Sequence, residues 1–96
     1  MRKNKYVIVR TYSAGVFAGE LKSRKGKEVV LINARRLWYW SGAASLSQLA
    51  MEGTKDAGNC KFPMPVDRVE LTEAIEIIDV RPAARKSIEA VSIWAK

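Results

Sequence analysis

The sequence contains no histidine and a single cysteine, Cys60. Histidine is the usual general base of enzymes and the commonest metal ligand, and one thiol forms neither an intrachain disulfide nor a cysteine-based zinc site. The motifs GxxxxGK(S/T), GxGxxG, GxSxG and HExxH are absent as well. We therefore expect a protein that is not an enzyme and that carries no metal and no cofactor.

Long apolar runs are also missing. The apolar stretch 6–9 is interrupted at once by Arg10, so it is too short for the apolar core of a signal peptide, and no stretch approaches transmembrane length. A lone thiol is typical of a reducing compartment. These features predict a cytoplasmic protein without a membrane partner.

The chain is short. Its 96 residues, with 48% hydrophobic content, predict one globular domain spanning residues 1–96. A domain of this size buries a limited core, and association of identical subunits is a common remedy. We therefore expect a homo-oligomer.

Positive charge is concentrated in the first third of the chain. Residues 1–36 contain ten Lys and Arg against two Glu, whereas residues 37–96 contain seven Lys and Arg against eight Asp and Glu. A concentrated positive field attracts nucleotides, polyanions or acidic proteins. The alternative is a solvated basic surface that serves solubility, at the N-terminal tail and in the segment 22–27.

β-branched and aromatic residues predict three strands in the first half of the chain. Strands are expected at 6–12 and 16–21, and a third begins at residue 28 and continues to Arg36 or as far as Trp40. The segment 22–27 is expected to form a polar loop. Successive strands with short connections predict antiparallel pairing.

Two short helices are predicted from their end signals. Ser45 and Gln48 form a capping box, which predicts a helix over 46–52. Pro82 suits the first position of a helix, which predicts a final helix over 82–90.

The segment 66–80 fits either a strand or a helix. Its Val, Ile and Thr content favours a strand, with Glu73 interrupting the alternation. Gly19 is expected to mark a bulge or a close backbone approach, and Trp94 to pack on the sheet. The predicted fold class is α+β: a small antiparallel β-sheet or partly open barrel of about four strands, with two short helices.

The stretch 33–42 places two arginines directly before three aromatic residues. Arginine is a planar, permanently charged group that suits phosphate and stacks on rings, and tryptophan is costly to leave in water. The combination is typical of a subunit interface or of a pocket for an anionic, ring-containing molecule, and both uses can coexist. In strand geometry one face carries Arg36, Trp38 and Trp40, and the other carries Arg35, Leu37 and Tyr39.

Two further groups are candidates for the same pocket. Arg10 and Tyr12 lie at the end of the first predicted strand, where ordinary hairpin chemistry is the alternative. Asn59, Lys61 and Phe62 lie in the long loop 54–65, where they are candidates for a lid. The candidate ligand-binding residues are Arg35, Arg36, Trp38, Tyr39, Trp40, Ser41, Arg10, Tyr12, Asn59 and Lys61.

Several runs of the sequence resemble a small family of phage- and prophage-encoded proteins of unknown function. The similar runs are 6–20, 33–40 with 45–50, 59–62, 73–78 and 87–89. The resemblance extends over nearly the whole chain and is most specific at the Asn-Ala-Arg-Arg-Leu-Trp-Tyr-Trp block. It implies a viral gene product that acts in a bacterial cytoplasm, and it supplies no activity.

Small phage proteins without enzyme motifs often counter host defence. One such class resembles a sponge, a homo-oligomer that captures nucleotide-derived immune signals without cleaving them. The leading hypothesis is therefore a non-enzymatic protein that captures a cyclic oligonucleotide or an ADP-ribose-type signal. The alternatives are an inhibitor or adaptor that binds a host protein and, ranked lower because the basic runs are short, a nucleic-acid-binding protein.

Overall fold

The chain folds into one antiparallel β-sheet and two helices, and the computed structural model describes residues 4–95. The strands are β1 (Tyr6–Thr11), β2 (Val16–Lys25), β3 (Glu28–Arg36), β4 (Val66–Leu71) and β5 (Ala74–Asp79), in the spatial order β4-β3-β2-β1-β5. The helices are α1 (Leu46–Glu52) and α2 (Pro82–Ala90), and a short 3₁₀ turn spans Ala57–Asn59. The α+β class and the two helices are confirmed, and the open sheet has five strands where about four were predicted.

The segment 66–80 supplies the additional strand. It is extended, as favoured, but it breaks into β4 and β5 beside Glu73, where the alternation is interrupted. The two strands lie at opposite edges of the sheet, although only two residues separate them. The sheet is therefore curled so that its edges meet at this corner. There the Glu73 carbonyl accepts a hydrogen bond from the Tyr12 amide at 2.9 Å, and the Ala74 amide donates to the Lys27 carbonyl at 3.0 Å.

Strand β1 is buried on both faces because the sheet separates two apolar cores. Tyr6 and Ile8 face a core that both helices cover, and Val7 and Val9 face a second core enclosed by the curl. A strand buried on both faces has a continuous apolar run, as Tyr-Val-Ile-Val does. The helix-side core includes Leu37, Leu49, Phe62 and Ile88, and the enclosed core includes Phe17, Val29, Leu31 and Leu71.

Strand β2 is longer than predicted. The expected polar loop 22–27 is extended as far as Lys25, and the hairpin reverses at Gly26, whose φ is +60°. Beyond Leu21 the hairpin projects past β1, and β3 pairs with it up to the Lys25–Glu28 pair. Because β3 forms the backbone hydrogen bonds with this part of β2, strand β2 continues although its charged side chains are exposed to solvent.

The bulge predicted at Gly19 is confirmed. The register between β2 and β3 shifts between Ala18 and Glu20, and a Cβ at position 19 would lie 2.9 Å from the Ala34 Cα. On the facing strand Asn33 has a φ of 49°, and its side-chain amide donates to the Glu20 carboxylate at 2.9 Å. Asparagine tolerates this left-handed conformation better than most residues.

Both helices begin and end as predicted. The Ser45 hydroxyl accepts a hydrogen bond from the Gln48 amide at 3.2 Å, and the Gln48 side chain accepts one from the Ala44 amide at 2.8 Å. Pro82 is the first residue of α2, where a missing amide hydrogen costs nothing. Local capping signals therefore specified these boundaries.

Arg35 is buried and connects β3 to two distant segments. Its Nη1 donates to the carbonyls of Ile88 and Val91 at 3.1 and 2.8 Å, at the end of α2. Nη2 donates to the Phe62 carbonyl at 2.9 Å, and Nε donates to the Pro63 carbonyl at 3.2 Å. We call this arrangement the Arg35 clamp.

The clamp holds a buried positive charge by means of backbone carbonyls. Two of its acceptors, the carbonyls of Ile88 and Val91, lie at the C-terminal end of α2, where the helix dipole is negative. The guanidinium also lies 5.5 Å from the centre of the Phe62 ring. Burial lowers the pKa of Arg35, although a guanidinium remains charged in proteins.

We expect Arg35→Met to lower the free energy of unfolding by about 3 kcal/mol or more, because charge-assisted hydrogen bonds are lost and the carbonyls of Pro63 and Val91 lose their donor. Arg36→Met is the matched control. Its exposed guanidinium lies 4.6 Å from the centre of the Phe17 ring, and such a contact is worth about 0.5–1 kcal/mol. Urea unfolding measures both variants, and equal losses would contradict the clamp.

The stability should also depend on the ionisation of Tyr6. Burial, the largest cause, raises the pKa of Tyr6 from 10.0 to about 12. Above pH 10 the unfolded chain therefore loses this proton while the folded chain keeps it, and stability falls as the pH rises through 12. The expected loss is about 2–3 kcal/mol. Tyr6→Phe should lose less stability between pH 10 and 12, and parallel pH profiles for the two proteins would refute the assignment.

Candidate functional site

Large hydrophobic side chains are exposed together next to the end of β3. Trp38 is 58% exposed, Tyr39 50%, Ile93 51% and Trp94 36%. Trp38, Tyr39 and Trp94, with Lys61 beside all three rings, form a surface that we call the aromatic surface, and the exposed Ile93 precedes Trp94 in the chain. Contiguous exposed hydrophobic side chains mark candidate binding sites on small domains.

Two backbone bridges assemble this surface from three parts of the chain. Tyr39 and Lys61 exchange both backbone hydrogen bonds, at 3.2 and 2.8 Å. Phe62 forms a parallel bridge with Ile93, and the Trp94 amide donates to the Phe62 carbonyl at 3.0 Å. The short extended stretch at Lys61 thus lies between the end of β3 and the C-terminal segment.

The indole rings of Trp38 and Trp94 are stacked. Their centroids are 5.1 Å apart and their planes differ by 4°. One face of Trp38 is therefore covered by Trp94, and more than half of the side chain still contacts solvent. A stack that is accessible from outside presents a planar apolar platform.

Lys61 places a positive charge beside all three rings. Its Nζ lies 5.4 Å from the ring centre of Trp38, 5.8 Å from that of Trp94 and 5.9 Å from that of Tyr39. Within residues 4–95, no carboxylate forms an ion pair with it. The aromatic surface therefore combines flat rings with a cation that is held close to them.

The predicted alternation along this stretch holds only in part. Arg35 and Leu37 point inward, while Arg36 and Trp38 are exposed, as strand geometry requires. The strand ends at Arg36, and Tyr39 then pairs with Lys61, which resets the alternation. Tyr39 is consequently exposed, and Trp40 packs against the helix-side core.

The side chains of Arg35 and Trp40 consequently pack against the interior of the protein. The Arg35 clamp directs the guanidinium into the protein, so we leave this residue out of the candidate site. Arg36 is exposed and lies two residues before Trp38. Of the two adjacent arginines, Arg36 is therefore the one that a solvent-borne ligand can reach.

Ser41 and Asn59 stabilise the loop between α1 and β4 through Asp56. The Ser41 hydroxyl donates to the Asp56 carboxylate at 2.9 Å, and the Asn59 amide donates to both of its oxygens at 3.0 and 2.9 Å. Hydrogen bonds from Asn59 and then Ser41 lower the pKa of Asp56. Phe62, proposed with Asn59 and Lys61 as part of a lid, is fully buried, so this end of the loop is anchored in the core.

Arg10 and Tyr12 lie at a different position in the fold. Arg10 forms an ion pair with Glu76 on β5 at 3.0 Å. Tyr12 is highly exposed and lines a cavity of about 290 Å³ with Lys27, Glu73 and Ile75, beside the corner where the sheet edges meet. The structure therefore groups Trp38, Tyr39 and Lys61 and separates them from this second pair.

Trp94 was missed as a member of the candidate site, and Ile93 was missed as the residue whose backbone bridge positions it. Trp94 was expected to pack on the sheet, but it stacks on Trp38 beyond the end of β3. The parallel bridge between Phe62 and Ile93 creates this position, and a contact between residues so far apart in sequence leaves no local signal. The tryptophan near the end of the chain was the only hint in the sequence.

The fold and the site describe a small α+β domain that presents rings and cations on its surface. The chain belongs to a family described as a domain of unknown function (DUF6948), whose profile matches residues 4–88. No curated protein and no solved structure matches it. The matched residues include Trp38, Tyr39 and Lys61 and end before Ile93 and Trp94.

Two further findings concern only the part of the chain that the structure describes. Neither helix has the length and apolar content needed to cross a membrane. No three side chains of the types that ligate metals are grouped so that they would hold an ion.

Removing the Trp94 ring should expose the second face of Trp38. We expect Trp94→Ala to increase acrylamide quenching of the remaining tryptophan fluorescence, because Trp38 loses its stacking partner. Proteins with and without this change are compared in a Trp40→Phe background, which removes the fluorescence of the third tryptophan, whose ring packs against the core. Unchanged or reduced quenching in Trp94→Ala would show that the two rings are not stacked in solution.

Proposed function

We propose that this protein is a non-enzymatic binding protein that captures a small anionic nucleotide-derived ligand, such as a cyclic oligonucleotide or an ADP-ribose derivative. The observation that carries the proposal is the exposed Trp38–Trp94 stack with Lys61 beside it. With the resemblance to phage-encoded proteins, the proposal extends to a phage protein that sequesters an immune signal in the bacterial cytoplasm.

The chemistry of the aromatic surface matches the two halves of a nucleotide. Exposed rings of Trp38 and Tyr39 offer planar faces on which a base can stack, and such stacking is worth about 1–3 kcal/mol per base. Lys61 supplies a positive charge for a phosphate group beside the rings. Arg36, whose guanidinium lies over the Phe17 ring, is a further exposed cation two residues before Trp38. Exposed rings with a cation beside them therefore support binding of a molecule that is flat at one end and anionic at the other.

The overall charge favours the approach of such a ligand. The net charge is +7, and ten of the basic residues lie within residues 1–36, which contain β1 to β3. A field of one sign raises the local concentration of an oppositely charged ligand and its association rate. The proposal requires binding alone, and every group on the aromatic surface acts in it by stacking or by charge.

A protein partner is the second candidate. Ile93 is as exposed as Tyr39 and precedes Trp94 in the chain, so an aliphatic side chain that a nucleotide does not need is exposed next to the aromatic surface in the sequence. Tryptophan, tyrosine and arginine are the residues enriched at binding hot spots. On this view a host protein covers the aromatic surface and buries Trp38 at its centre.

Binding of cyclic dinucleotides, cyclic trinucleotides and ADP-ribose tests the proposal directly. We expect at least one of them to quench tryptophan fluorescence, to raise the unfolding temperature and to bind with micromolar or tighter affinity. Trp38→Ala should weaken that binding by about tenfold or more, because one stacked base is lost. Lys61→Met should weaken it and reduce its dependence on salt. Tyr12→Ala is the matched control, since this exposed ring lies outside the aromatic surface.

The outcomes separate the candidate functions. If the whole panel leaves fluorescence and unfolding temperature unchanged, the nucleotide proposal is wrong. The second candidate is supported if a host protein binds stoichiometrically and if Ile93→Ser and Trp38→Ala both weaken that binding. Ile93→Ser should leave nucleotide binding intact. Binding to single-stranded oligonucleotides that falls steeply with salt would instead indicate a nucleic-acid-binding protein.

A further inference from the structure

The outer edge of β4 is an unpaired strand edge. β4 is the last strand of the sheet and pairs with β3 on one side only. Among residues 4–95, no backbone hydrogen bond joins its other side to another segment. An edge of this kind is a ready template for a further strand.

The side chains of β4 alternate between the core and solvent. Val69 and Leu71 face the enclosed core. Arg68 and Glu70 point to the opposite face, where both are exposed and form an ion pair at 3.2 Å. The strand therefore carries one positive and one negative charge in adjacent positions on one face.

We propose that a second copy of this chain pairs with it along β4, antiparallel and centred on Val69. In this register each Arg68 lies opposite Glu70 of the partner, and each Asp67 lies opposite Leu71 of the partner. Each arginine then has one carboxylate beside it on its own strand and one across the interface. Opposite charges in directly facing positions stabilise a strand pair, and like charges destabilise it.

Symmetry makes the register specific. Residues that lie directly opposite each other in an antiparallel pair have their side chains on the same face of the sheet, whereas neighbouring residues of one strand have them on opposite faces. The twofold axis must therefore lie between two copies of the same residue. If the pairing is centred on Asp67, Arg68 or Glu70, that charged residue lies opposite the same residue of the partner. The register centred on Val69 is the only one of the four that opposes unlike charges, which specifies this pairing.

The other edge of the sheet fits a second copy less well. On β5 the charged residues are Glu76 and Asp79, both acidic, so self-pairing offers no opposite charge. Glu76 is already paired with Arg10 of the neighbouring strand. The charges therefore favour β4, and this inference is independent of the proposed ligand.

Charge reversal tests the pairing. We expect the wild-type protein to dimerise reversibly in sedimentation equilibrium. Arg68→Glu and Glu70→Arg should each weaken the dimer by about tenfold or more, because both symmetric contacts become repulsive. Mixing the two variants should restore association, since the carboxylates at positions 68 and 70 of the first variant then lie opposite arginines of the second. The double variant R68E/E70R should dimerise like the wild type.

Two controls separate the interface from folding. Arg24→Glu makes the same charge change on the β2–β3 hairpin and should leave the dimer unaffected. The unfolding temperature of each variant should stay close to that of the wild type, because the exposed Arg68–Glu70 pair contributes little to stability. A wild-type monomer at about 1 mM, where even millimolar association is visible, would overturn the proposal. So would a dimer that Arg68→Glu does not weaken, or variants that fail to associate on mixing.

Discussion

The buried guanidinium of Arg35 is the interaction on which the rest of the structure depends. It is the point at which the end of β3, the segment at Phe62 and the end of α2 are held together, in each case through the backbone. A backbone carbonyl is present whatever side chain its residue carries. These hydrogen bonds therefore constrain the path of the chain at the accepting positions more than the identity of the residues there. The cost is a charge removed from water, and the concentration of partial negative charge at the end of a helix offsets part of that cost.

The aromatic surface lies immediately outside this clamp. The clamp holds the carbonyls of Phe62 and Val91, and the surface includes residues close to them in the chain, Lys61 and Trp94. The buried Arg35 clamp and the exposed aromatic surface therefore lie on the inner and outer sides of the junction between the same three segments of the chain. This relation explains why adjacent arginines serve opposite purposes, one oriented into the junction and one into solvent.

Local signals in the sequence were sufficient for much of the fold. Helix ends, the bulge at Gly19 and the break at Glu73 were predictable because capping groups, small residues and interrupted alternation act within a few residues. The extension of β2 was not predictable, since its pairing partner decides it. Of the residues in the aromatic surface, only Trp38, Tyr39 and Lys61 were predicted from the sequence. The interior position of Arg35 and the stacking of Trp94 depend on contacts across more than fifty residues, for which a single sequence holds no periodic signal.

The corner beside Glu73 has a dynamic consequence. β4 and β5 form the two outer strands of the sheet. Here one almost continuous segment supplies both, so displacement of either strand pulls on the two residues that join them. The amides of both edges should therefore exchange with solvent in a single cooperative opening rather than as two separate fraying ends. A second chain that protects one edge would then slow exchange at the other, although it contacts only the first.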